Sequence, residues 1–353
     1  MFTSLKVSGF RGLKSLKVER LGRVNLVVGQ NNSGKTSLLE AVFLLAHGGK
    51  PDVALNANVV RGGVGIRAST IDDVRALWQP LFSDLDVSRP VSISASHATH
   101  GSIDLEIEHR YSARLGRAST SRDTNRGVGG SSELRFALRV SPREGQRSRS
   151  VQSRALFGED GGMAKVEGEP LVVPGVLLKS CADSPEDDIK RLGLLRVRKQ
   201  AELVVEALQI IEPKLQAVDG FPGPGGYTLW GDIGLPEQIP LAVLGDGVNR
   251  LARLVLAMAH ERGLVVLVDE IENGFHHSVL EKVWKAVYTT AERFDAQVIA
   301  TTHSYECIAA AHAASPGHDL ILHRLDADDD GVRCVTYDSE SIGGAMHHGF
   351  EVR

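Results

Sequence analysis

The 353-residue chain is 42% hydrophobic and 24% charged, enough apolar content for a full core and too much for a disordered chain. A formal net charge of −4 excludes a global basic field of the kind that coats nucleic acid, and the three cysteines, Cys181, Cys307 and Cys334, fit neither a disulfide framework nor a metal-ligand spacing. The start, MFTSLKVSGFRGLK, has no long apolar segment and the strongest apolar run, Leu264–Val268, is far too short to span a bilayer, so the expectation is a cytoplasmic chain without a signal peptide or membrane span.

In chain order, SLKVSGF and SLKVERL flank RGLK and predict a short hairpin. VNLVVG (24–29) predicts a buried strand that stops at a glycine. The following TSLLEAVFLLAHG has helical spacing, with Leu38, Leu39, Val42, Phe43 and Leu45 apolar and Gly48 as a stop. From about residue 60 to 175 the texture changes: PVSISASH, SIDLEIEHRY and ELRFALRV alternate as half-buried antiparallel strands do, and 112–132 and 142–162 read as long loops. The longest predicted helix is 184–218, capped by Ser184, with Pro185 in its first turn and Pro213 as a kink or stop. A Gly/Pro-rich stretch, GFPGPGG (220–226), follows. Helix (248–263), strand (264–269), helix (278–293), strand (297–303) and helix (305–313) come next, and 319–338 predicts a hairpin turning at Asp330-Gly331.

The segment GQNNSGKT (29–36) fits G-x-x-x-x-G-K-[ST], with a strand before it and a helix after it. Gly29 and Gly34 let backbone N–H groups wrap phosphate, Lys35 can reach the β- and γ-phosphates, and the Thr36 hydroxyl can sit on Mg²⁺. Such a loop needs a second strand ending in an acid that holds the metal. VLVDEIENGFHH (266–277) supplies it: Asp269 ends the strand, and Glu270 is placed to polarise the attacking water. Lys35 and Asp269 are 234 positions apart, so a large insertion interrupts the nucleotide fold.

With these elements, the chain resembles an ABC-type ATPase head of the branch that includes RecF, SMC proteins and the OLD-family ATPases. The resemblance rests on FRGLKSL (10–16), GQNNSGKTSLLEA (29–41), LGDGVNRL (244–251), VLVDEIENGFHH (266–277) and ATTHS (300–304), in the family's order. It implies an α/β fold with a mainly parallel core sheet, an antiparallel β insertion and a helical subdomain. The expected division is an N-terminal part of the ATPase lobe (1–60), the insertion with its Arg-rich loops (61–175), a helical subdomain and linker (176–240), and a segment with signature, acidic strand and switch histidine (241–353). It implies ATP and Mg²⁺, with Asn31, Asn32, Ser33 and Ser37 joining the phosphate loop, Thr36 and Asp269 on the metal, Glu270 and His303 as catalytic groups, and His303 at the γ-phosphate.

The resemblance further implies a homodimer or higher oligomer with two ATPs sandwiched between heads, each loop facing the other subunit's signature. Leu244 to Arg250 would be that segment, with Gly245, Asp246 and Gly247 at the partner's phosphate; Gly245 replaces the usual serine. Asn273 to His276 would cross the interface, and the pair His276-His277 is assigned there and not to zinc. Arg11 is placed either near adenine or phosphate or in solvent, and Gln79 is the one candidate for the Q-loop glutamine. Residues 110–154 hold eleven arginines and three acids, which reads either as soluble flexible loops or as a surface facing DNA or a nuclease partner. OLD-family enzymes carry a Toprim nuclease after the ATPase, for which the fifty residues after His303 are too few. The reading is an ATPase subunit of a DNA-repair or anti-phage complex working with a separate nuclease or effector. The alternatives are a transporter ATPase subunit and a nucleotide-gated scaffold with little turnover.

Overall fold

The computed structural model describes residues 1–54, 78–113, 130–142, 148–157, 163–164, 173–179, 185–223, 226–316, 319–328 and 331–347. The first elements are β1 (Phe2–Phe10), β2 (Leu13–Val18), β3 (Val24–Gly29) and α1 (Lys35–Ala46). Then come β4 (Val91–His97), β5 (Gly101–Ala113), β6 (Gly130–Ser141), β7 (Arg149–Phe157), β8 (Met163–Ala164) and β9 (Gly175–Leu178). The middle holds α2 (Pro185–Val197), α3 (Glu202–Leu208), β10 (Ala217–Gly223), β11 (Gly226–Asp232), β12 (Ile239–Pro240) and α4 (Asp246–Ala259). The last part runs β13 (Val265–Val268), α5 (Leu280–Arg293), β14 (Gln297–Thr301), α6 (Tyr305–Ala313), β15 (Leu320–Asp328), β16 (Gly331–Asp338) and α7 (Ser339–His347).

The central sheet has the order β16-β15-β3-β14-β13-β9. All its neighbours pair parallel except β15 with β16. Its inner strands β3, β13 and β14 are mostly apolar and buried because both faces are covered. Leu26 and Val28 point into one core and Val27 into the other; Val266 and Val268 part from Val265 and Leu267 in the same way. On one side lie helices α2 to α6, and on the other lie α1 and the inner face of a seven-stranded antiparallel sheet, β2-β1-β4-β5-β6-β7-β8. α1 is buried nearly all round because it lies between two sheets. α4 faces one core only and is amphipathic, with Val248, Leu251, Ala252 and Val255 inward.

The predicted strands and motif helices are present, and the departures are local. Residues 149–157, read as loop, form β7 against β6, and 112–113 and 130–132 extend β5 and β6. The long helix predicted over 184–218 is two helices and the start of a strand. α2 ends with Lys199 in the left-handed conformation (φ 56°), where Gln200 N bonds Leu195 O at 2.8 Å and Lys199 N bonds Arg196 O at 2.9 Å. That is a Schellman termination without glycine. Of GFPGPGG, read as a linker, Gly220–Gly223 lies in β10 and Gly226 opens β11, and Gly220 packs on Ile189 of α2, where an added Cβ would come within 2.8 Å. α7 is an element that periodicity did not announce. Cys181, Ser184 and Asp330 lie outside the described residues.

His323 on β15 is fully buried, its ring between Asn25 Oδ1 (3.3 Å) and Thr336 Oγ1 (3.2 Å). Burial pushes its pKa down to about 4. The folded state favours the neutral ring, so this stabilisation is complete above about pH 6.5 and is lost as pH falls toward 4, by about 3 kcal/mol in all. Urea unfolding at pH 7 and 4.5 checks it: His323→Gln should shrink the loss of stability between the two pH values, and an unchanged loss would refute the assignment.

Candidate active site

The loop between β3 and α1 carries a run of special backbone angles: Gly29 (φ 144°), Asn32 (φ 65°) and Gly34 (φ 92°). Gly34 is the N-cap of α1 and offers no side-chain cap, so the first-turn amides of the helix open onto the loop. Gly29 is required for a second reason. It pairs with Leu325 of β15, and a Cβ at Gly29 would lie 2.4 Å from the Leu325 carbonyl oxygen. Lys35 Nζ donates to the carbonyls of Gly29 (2.7 Å) and Gln30 (2.8 Å), folding back over the loop. Burial lowers the pKa of its ammonium, while Asp269, Glu270 and Glu272 pull it back up. Asn31 and Asn32 are exposed, and Ser33 and Ser37 are buried in the loop and first turn.

Asp269 and Glu270 arrive at the same place from β13. Thr36 Oγ1 lies 3.3 and 3.2 Å from the two Asp269 carboxylate oxygens. A hydroxyl and a carboxylate that close, beside a loop of inward amides, are the hard oxygen donors that a divalent cation with phosphates would take. Thr301, at the end of β14, donates to Asp269 Oδ1 (2.7 Å) and accepts from Glu270 N (2.8 Å), tying the two acids to the neighbouring strand. Glu270 itself is left-handed (φ 50°), a conformation that costs a bulky residue about 1–3 kcal/mol. Its carboxylate accepts from Asn273 Nδ2 at 2.6 Å and lies 3.9 Å from His303 Nε2. His303 N in turn donates to Glu272 Oε1 at 2.8 Å. Both Glu270 and His303 are partly open to solvent, so a water can reach the acid.

The solvated placement of Arg11 does not hold, since its side chain is covered. The residue is left-handed (φ 51°), and its Nε is 3.0 Å from the carboxylate of Glu40. Glu40 is wholly buried one turn beyond Thr36, and Lys179 reaches it from the end of β9 at 3.1 Å. Sequence reasoning missed Glu40, Lys179 and Thr301; the signal for Glu40 was an acid on an otherwise apolar face of the phosphate-loop helix. Gln79 opens a single turn, Gln79–Leu81, whose Leu81 carbonyl accepts from Arg11 N at 3.0 Å.

Gly245 (φ 122°) caps α4, and Asp246 and Gly247 form its first turn. Gly247 packs on the turn after β13: a Cβ there would lie 3.2 Å from Gly274 O. His276 and His277 stack at 4.1 Å, and His276 Nδ1 bonds Ser278 Oγ at 2.8 Å. Among the described residues no cluster of three or more His, Cys, Asp or Glu is arranged for a metal. No helix there is long and apolar enough to cross a membrane. Of the Arg-rich segment, 114–129 and 143–147 lie outside the described residues. In the strands, Arg110 pairs with Glu108 (2.8 Å) and Arg135 with Glu133 (2.9 Å), which offsets part of the positive charge counted from sequence.

The family model described as "AAA domain, putative AbiEii toxin, Type IV TA system" matches residues 24–309, an interval holding the glycine loop, both acids and His303. An "ATP/GTP phosphatase" of Helicobacter pylori is 24% identical over 97% of this chain and 97% of its own. The "DNA replication and repair protein RecF" of Pseudoalteromonas translucida is 31% identical over 117 residues, 31% of this chain and 28% of that one. Among solved structures, an SMC head bound to the C-terminal winged-helix domain of ScpA is similar with a TM-score of 0.52 at 14% identity, over 96% of this chain and 98% of that one. A second SMC head, from Pyrococcus furiosus, gives 0.50 at 12% identity over 98% of each chain. At such identities the likeness shows the fold, that of an SMC head.

Proposed function

We propose, on the premise that the chain belongs to the AAA-domain family whose model spans residues 24–309, that it couples ATP hydrolysis to self-association in a complex that acts on DNA with a separate nuclease or effector. The chain is an ABC-type ATPase of the RecF/SMC branch. The observation that carries the site is the approach of Thr36 Oγ1 to the Asp269 carboxylate (3.2 Å) across 233 positions of sequence. In this reading the loop amides and Lys35 bind the triphosphate, and Thr36 and Asp269 hold Mg²⁺. The metal, when bound, offsets charge on the β- and γ-phosphates. Glu270 accepts a proton from the attacking water, and His303, 3.9 Å from it, faces the terminal phosphate.

Self-association is supported by the placement of Gly245–Gly247 at the start of α4, an amide-rich helix end of the kind that receives a partner's phosphate. DNA as the target is supported by the arginines of 110–154 and by the RecF relative. Calorimetry with Mg-ATP tests the binding reading. Wild-type protein should give a saturable signal, and Lys35→Ala should weaken it about 10- to 100-fold, as loss of charge-assisted bonds to phosphate does. A flat wild-type trace would end the proposal. Turnover per chain that rises with protein concentration, and rises again with duplex DNA, would support the assembly and its target. Rates indifferent to both favour a scaffold with little coupling, a reading to which the missing signature serine at Gly245 lends weight.

A further inference from the structure

α4 carries two half-buried arginines three residues apart. Arg253 Nε reaches Asp188 of α2 at 3.1 Å, and Arg191 of α2 reaches the same carboxylate at 3.0 Å. Arg250 points the other way. Its Nη2 donates to the main-chain carbonyls of Asp269 (3.2 Å) and Glu270 (2.7 Å). Burial works against its charge, and Glu272, Glu270 and Asp269 favour it, in that order. A half-buried guanidinium spent on two carbonyls of one turn is costly unless the turn needs holding. This turn does, because Glu270 sits in a left-handed conformation.

The same turn touches the start of α4. A Cβ on Gly274 would lie 3.5 Å from Arg250 Cδ and 3.8 Å from Asp246 Cβ, and Gly247 packs on the Gly274 carbonyl. Arg250 is one helical turn from Asp246, so a displacement of the helix start carries the guanidinium with it. The carbonyls it holds belong to the residues whose carboxylates face Thr36 and His303.

We infer that Arg250 is a positioning residue that fixes the backbone of Glu270 and transmits the position of the α4 start to it. It touches no reacting atom. Its removal leaves the triphosphate cradle of 29–36 intact and lets the acid drift. The inference rests on Glu270 acting as the base, and the test separates the two. Arg250→Met keeps the length of the side chain and removes the donors; Arg250→Lys keeps a charge and loses the planar fork. Steady-state turnover and Mg-ATP affinity are measured on the full chain for both, with Glu270→Gln in parallel.

The expected result for Arg250→Met is a fall in kcat of about 10- to 100-fold, the cost of slight misplacement of a reacting group, with Mg-ATP affinity within about twofold of wild type. Arg250→Lys should lie between the two, and carries the test alone if Arg250→Met does not fold. Turnover of the folded variants within twofold of wild type, while Glu270→Gln is inactive, overturns the role of Arg250 alone. A parallel loss of affinity and kcat overturns it as well, since that marks a merely structural residue. Full turnover in Glu270→Gln overturns the base assignment instead.

Discussion

Replacing Glu270 with glutamine is expected to lower ATP turnover by about 10²- to 10⁴-fold, the usual worth of a positioned general base, while Mg-ATP binding stays within a few-fold of wild type. The substitution keeps the shape and the oxygen that accepts from Asn273 Nδ2 at 2.6 Å, and leaves the carbonyls bound by Arg250 in place. What disappears is the capacity to take a proton. A binding isotherm and a turnover assay on the same preparation decide it. If turnover survives within tenfold, the base lies elsewhere, and His303, 3.9 Å away, is the next group to change.

Replacing Glu40 with alanine is expected to cost about 3–5 kcal/mol of stability, the range for breaking a buried ion pair by removing one partner. Glu40 is fully buried and its carboxylate lies between Arg11 (3.0 Å) and Lys179 (3.1 Å). Alanine would strand two mostly covered cations from two elements, the turn after β1 and the end of β9. Desolvation alone cannot be relieved there, since side chains of both cations are mostly covered. Urea unfolding reads the loss directly, and a change under about 1 kcal/mol would mean that the cations reach solvent when the acid is gone. Glu40→Gln should fall between, because it keeps hydrogen-bond acceptance without the charge.

The parts of the site written in local sequence were legible. A strand, a glycine loop, a Lys-Thr pair and a helix are contiguous, and so are β13 and its two acids, so period and composition suffice to find them. That Thr36 and Asp269 meet was expected from the chemistry of the loop, which needs a metal-holding acid at the end of a second strand. Partners that come from distant segments were not legible. Lys179 follows a four-residue strand, Thr301 ends another, and Arg250 lies inside a helix whose apolar spacing says nothing of where its guanidinium points. The break after α2 was missed because Lys199 takes a left-handed position usually held by glycine, and nothing local marks it. β7 was missed because arginine and serine dominate its exposed positions, while the alternation that makes it a strand is supplied by its neighbour β6.

The position of Gly29 bears on how inactive controls for this protein should be built. Its lack of a side chain answers first to the adjoining strand, whose Leu325 oxygen occupies the space a methyl group would need. An alanine introduced there as a "nucleotide-dead" allele would wedge two core strands apart, and the resulting null phenotype would report misfolding. Genetic or biochemical controls are sounder at Lys35, where truncation removes two hydrogen bonds to the loop carbonyls of Gly29 and Gln30 but forces no side chain between strands.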